Sequence, residues 1–159
     1  MLIWFAVCAT LMVAIVFRSP ANDYRFVMLG AVLPLAEGLI GGPLVLHSVV
    51  GAMAILVVIM VATPKRRILR RRLLGIPIGM MCHLVLDLSF ARTAVFWWPL
   101  GGLGRPSGQI PELDHLGLSI VLELIGWVVA WWAWRAFGLA DPARRRRFLD
   151  DGRLEFVEA

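Results

Sequence analysis

The chain has 159 residues, 60% of them hydrophobic and only 17% charged, with a net charge of +5 and a mean hydropathy of +0.80. A soluble domain is about half apolar and a quarter charged, so this composition excludes an ordinary water-soluble enzyme and predicts an integral membrane protein. It also excludes a disulfide framework and a zinc finger: Cys8 and Cys82 both lie in apolar runs, and there is no CxxC spacing.

The first predicted element is the apolar run Leu2–Phe17, which ends at Arg18-Ser19-Pro20. It is short for a span, but tilt or local thinning covers the difference. Neither a basic n-region nor an A-x-A site precedes it, so no cleaved signal peptide is expected. After a polar joint, residues 26–42 form a second run, broken by Pro34 and by Gly30, Gly38, Gly41 and Gly42, with Glu37 inside it. Such breaks are tolerated where protein or a water-filled cavity covers them. A Gly41-Gly42-Pro43 turn leads to a third span, 44–62, with His47 and Ser48 near its start.

A basic block, 65–72, precedes the fourth span, 73–92, which carries the motif GMMCHLVLD at 79–87. An aromatic and Gly/Pro-rich loop follows, containing Phe96, Trp97, Trp98 and Pro99. The fifth span is 114–138, and 141–159 is a charged tail, expected to be partly helical at most. The fold predicted is all-α: one membrane bundle of about five helices over 1–140, followed by a cytoplasmic tail.

Basic loops stay in the cytoplasm. Placing 65–72 and 144–147 inside puts the N-terminus outside, the C-terminus inside and the 93–113 loop outside. These blocks read as topology signals against anionic lipid, not as a nucleic-acid surface. At 1.5 Å per residue, His47 lies about 6 Å below the outer face, Glu37 about 7 Å, Asp87 about 9 Å and His83 near the midplane. Ionisable groups from three spans therefore share the outer half. Each is costly there and marks a functional site by default.

His83 and Asp87 are one helical turn apart on one face. Imidazole and carboxylate suit Zn²⁺, with Mn²⁺ or Fe²⁺ as alternatives. The plain alternative is a neutral histidine hydrogen-bonded to a carboxylate, locking two helices. Ser48 beside His47 is badly placed for proton transfer, since adjacent helical residues point about 100° apart. Asp114 reads as an N-cap, Glu123 as a buried acid in need of a partner, Arg92 as a snorkelling end, and Trp97 and Trp98 as an interfacial belt.

The motif at 79–87 followed by Phe96-Trp97-Trp98-Pro99-Leu100 resembles the G-x-x-x-H-x-x-x-D…(Y/W)P pattern of the membrane-bound metal-dependent hydrolases, also described as inner-membrane-associated hydrolases. Leu33-Pro34-x-x-Glu37 and Leu46-His47-Ser48 resemble that family's L-P-D-x-D and T-H-S elements. Leu35 stands where the family has its first Asp, Glu37 replaces the second, and Gly42-Pro43 stand where a His-Arg pair is common. The resemblance covers about 29–100 and implies a multi-pass protein of the cytoplasmic (inner) membrane. It implies metal ligation by Glu37, His47, His83 and Asp87, catalysis involving Glu37 and Asp87, and hydrolysis of an ester or phosphoester of a hydrophobic or lipid-linked substrate. Arg92, His115, Trp97 and Trp98 are the candidate substrate contacts. Two alternatives stay open: a non-enzymatic membrane protein with a structural polar cluster, and a small metal- or proton-handling transporter.

Overall fold

The computed structural model describes residues 1–19, 22–39, 45–102 and 116–157. The described residues are mostly helical, with no strand. The helices are α1 (Leu2–Phe17), α2 (Tyr24–Val32), α3 (Val49–Ala62), α4 (Arg67–Leu73), α5 (Gly75–Leu86), α6 (Thr93–Phe96), α7 (Leu116–Ala136) and α8 (Pro142–Asp151). Shorter 3₁₀ segments cover Leu33–Leu39 and Ser89–Ala91.

Prolines set two of the breaks. Pro34 has no N–H to continue the α2 ladder, and the chain tightens into the 3₁₀ segment at Leu33. Pro77 sits in the first turn of α5, where a missing N–H costs little. The α4–α5 junction at Leu74 is therefore a joint in an otherwise continuous path, with Ile78 N still donating to Leu74 O at 3.3 Å.

The tightest pairing is α2 against α5. A Cβ on Gly30 would overlap the Ile76 carbonyl, one on Gly79 would overlap the Val27 carbonyl, and one on Gly75 would stand 2.9 Å from Phe26 Cβ. Small residues let two backbones approach to contact distance, which is what a close helix pair requires. This approach fixes where the following turn of α5, with His83, comes to lie.

α1 is held by α7. The Glu123 carboxylate accepts from Ile3 N at 3.1 and 3.2 Å and from Trp4 N at 3.3 Å, with the Met1 ammonium 3.7 Å away. Glu123 thus finds its partner as a cap supplied from another helix, satisfying amides that α1 cannot satisfy itself. Gly126, one turn on, allows the crossing: a Cβ there would lie 2.7 Å from Trp4 N. Glu123→Leu is expected to lower stability by about 1–3 kcal/mol, because buried donors lose their acceptor. Thermal unfolding in detergent checks this, and an unchanged midpoint would refute the cap.

The opposite end gathers the charges. Asp23 caps α2, and its carboxylate takes Arg25 at 2.8 and 2.9 Å, with Arg72 at 3.9 Å. Those hydrogen bonds push the Arg25 guanidinium above its ordinary value. α8 begins at an Asp141-Pro142 cap and ends at Gly152 in the left-handed region, so this part of the tail is a full helix. It is also docked: Gly152 O accepts from Tyr24 N at 2.8 Å, Leu154 is buried, and Phe156 packs on Phe137 with ring centres 4.7 Å apart.

Among the described residues, Gly117–Ala136 is the one helix long and apolar enough to cross a membrane. The 16 residues of α1 and 14 of α3 are apolar but shorter, about 24 and 21 Å long.

Candidate metal centre

His47 stands in the turn that starts α3. Ser48 is the N-cap of that helix: its Oγ accepts from Gly51 N at 2.9 Å and donates to Val45 O at 2.8 Å. The hydroxyl is thereby committed to the cap, and the serine's role is local structure. Because the cap falls at Ser48, His47 lies just outside the helix, on a turn pressed against α3 by the bare Gly51, where a Cβ would overlap the Val45 carbonyl.

His83 comes from the last turn of α5, and Asp87 is that helix's C-cap, still with helical backbone angles. Asp87 N donates to His83 O at 2.9 Å, so the one-turn spacing expected from the sequence is kept. Leu88 then turns into the left-handed region and ends the element. Ser89 Oγ donates to Asp87 Oδ2.

The ligand atoms of His47, His83 and Asp87 lie within 4.8 Å of one another, so these three residues could hold a metal ion. Both histidines are fully buried. Their rings meet edge-on, with centroids 5.2 Å apart and an interplanar angle of 79°. Phe5 of α1 stacks on His83 at 4.0 Å.

The hydrogen bonds behind the rings decide the chemistry. His83 Nδ1 is 2.7 Å from the Ala31 carbonyl. A carbonyl can only accept, so Nδ1 carries the proton and a neutral His83 has its lone pair on Nε2. His47 Nδ1 is 2.9 Å from Glu37 Oε2 and orders the same way. Both Nε2 atoms are shut off from solvent. Metal-ligating histidines characteristically donate their other N–H to a carboxylate or backbone carbonyl, and here one histidine does each. The donor set therefore fits a divalent ion.

Glu37 stands behind His47. Its other oxygen accepts from Leu46 N at 2.7 Å, so its two oxygens span the turn that carries His47. Glu37→Gln is expected to weaken metal binding about 10–100-fold, the usual cost of losing such an outer partner. Competition with a chelating dye measures it, and equal affinity would assign Glu37 no part in ligand orientation.

Of the other candidates, Arg92 is half-buried between the Ser89–Ala91 turn and α6, while Trp97 is half-exposed with its ring edge-on to Phe96. Trp98 is partly buried. His115 and Asp114 lie outside the described residues. Three contributors were missed by sequence reasoning. The Ala31 carbonyl leaves no mark in a sequence, Phe5 is one apolar residue among many, and only Ser89, two residues after an aspartate, follows a recognisable turn pattern. No family model, curated protein or solved structure matches the chain.

Proposed function

We propose that the chain is a multi-pass membrane hydrolase of about five spans that uses a divalent ion, Zn²⁺ first, held by His47, His83 and Asp87. The observation that carries this reading is the pair of buried histidines, each with Nδ1 engaged by an acceptor, whose ligand atoms lie within 4.8 Å of each other and of the Asp87 carboxylate. In this reading the chain is a divergent relative of the membrane-bound metal-dependent hydrolases that its motifs resemble.

The distribution of side chains supports the membrane location. Buried positions include Glu37, His47, Ser48 and His83, while Leu124, Val128, Trp131 and Trp132 of α7 are exposed. That inversion suits a hydrocarbon surrounding. The two ends support the orientation: Asp23, Arg25, Arg72 and Asp151 meet at one end, and the metal centre lies toward the other. With the basic end cytoplasmic, the centre belongs to the outer half of the bilayer.

A bound divalent ion would supply Lewis acidity, lowering the cost of ionising water and polarising an ester or phosphoryl oxygen. The protein's residues do the rest. Glu37 and the Ala31 carbonyl hold both imidazoles in the ligating tautomer. Ser89 holds one oxygen of Asp87, leaving the other to face the site. That oxygen would serve in turn as ligand and as base, departing from the ion to accept the proton of the attacking water. The water oxygen bonds to carbon or phosphorus, the ester bond breaks, and the alcohol leaves with a proton returned through Asp87. Phe5 and the buried surroundings exclude bulk water.

The test is hydrolysis of lipid esters and phosphoesters by purified protein loaded with Zn²⁺ or Mn²⁺, against chelated protein and Asp87→Asn. Activity that needs both metal and Asp87 supports the reading. Metal binding without any turnover would favour the structural alternative, in which the His83–Ala31 and His47–Glu37 bonds simply tie the helices together.

A further inference from the structure

α1, α3 and α5 leave between them a lateral groove of about 330 Å³, within the roughly 300–1,000 Å³ of small-molecule sites. Every residue lining it is apolar, among them Val13, Ala52, Met53, Leu56, Met81 and Cys82. Its upper end lies close to the metal centre, although none of the three candidate ligands lines it. Cys82 directly precedes His83, and Ala52 lies one turn along α3 from Ser48, its N–H donating to Ser48 O at 3.2 Å. Val13 is two turns along α1 from Phe5, whose ring covers His83. The far end reaches Phe17 and Pro77, at the basic end of the bundle.

We propose that this groove holds the hydrocarbon tail of a lipid-linked substrate whose ester is presented to His47, His83 and Asp87. The inference rests on the hydrolase reading and names its substrate class. Direction argues for it: a lipid of the outer leaflet points its tail inward, and the groove runs inward from beside the centre, continuing past the midplane toward the basic end. Chemistry argues for it too, because the wall offers no hydrogen-bonding side chain to any other class of ligand. Methionines 12, 53 and 81 give a pliable lining, suited to a chain without fixed shape.

Two measurements test this. In the first, wild-type protein in phosphatidylglycerol vesicles containing a trace of phospholipid with a terminal acyl diazirine is irradiated, and the adducts are mapped by mass spectrometry. Adducts should concentrate on Met53, Leu56, Met81 and Cys82 over Val57, Val58 and Leu124, although the latter three are the more exposed. Leu56→Trp should suppress them with metal content unchanged. Uniform labelling of all lipid-facing positions overturns the proposal.

In the second, Leu56→Trp is compared with wild type on long- and short-chain forms of one phosphoester. The expected result is a loss of about tenfold or more in kcat/KM for the long form alone, the discrimination typical of an apolar pocket. Equal loss for both forms with metal retained overturns the tail site. Met53→Trp, at a position 42% exposed, serves where Leu56→Trp does not fold. Selective labelling without turnover of any substrate fails the hydrolase reading and still supports the groove as a lipid-tail site, so the two failures are distinct.

Discussion

Purified in detergent and reconstituted with Zn²⁺, wild-type protein should carry about one divalent ion per chain and His83→Ala none, since a zinc site needs at least three protein ligands and the variant keeps only two. The two remaining are His47 and Asp87. The loss should exceed the roughly 10–100-fold expected when only an outer hydrogen-bond partner is removed, so His83→Ala and Glu37→Gln should differ clearly in one titration. His47→Ala should match His83→Ala. His83 is fully buried against Phe5, so size-exclusion and helicity controls are needed to separate lost ligation from lost fold. Elemental mass spectrometry gives the count. No metal in the wild type, even after reconstitution with Zn²⁺ and Mn²⁺, would sink the metal reading and leave the cluster as a tie between helices.

Gly79→Val should both destabilise the bundle and strip the metal. The new side chain would meet the Val27 carbonyl and Ala31 N, which are backbone atoms that cannot rotate away. α2 and α5 must separate, at a cost of about 1–3 kcal/mol or more for overpacking. The same separation draws His83 from the Ala31 carbonyl, now 2.7 Å away, and frees the ring to turn. Gly75→Ala, which would stand 2.9 Å from Phe26 Cβ and 3.0 Å from Val27 N, should cost less, because the overlap is shallower and only a methyl group is added. Gly101→Ala meets nothing within 4 Å and should stay within about 0.5 kcal/mol of wild type, as surface substitutions usually do. Thermal unfolding midpoints order the three variants. A Gly79→Val protein as stable as wild type would show that the α2–α5 contact is not as close as described.

The helical architecture was legible because apolar runs and proline punctuation leave little choice. The His83–Asp87 spacing was legible because one helical turn is a rigid ruler. That His47 shares the site followed from counting depth along three spans. The division of labour within the site was not legible. Glu37 and Asp87 are both acids at similar depth, and only the fold decides that Glu37 meets His47 Nδ1 while Asp87 faces the imidazoles. The Ala31 carbonyl was hidden for a different reason, since any backbone oxygen could serve. Glu123 could be recognised as needing a partner, but main-chain amides 120 positions away have no signature. The partly helical tail agrees with its expectation, its Asp-Pro start and Gly end carrying the helix signal, while its docking was hidden because arginines dominate its composition.

The bond from Glu123 to the first turn of α1 has a consequence for how the protein is made. α1 is made before α7, and its amides wait for a carboxylate synthesised more than a hundred residues later. Until α7 is in place these amides lack their Glu123 acceptor, and a donor kept from both partner and water is costly.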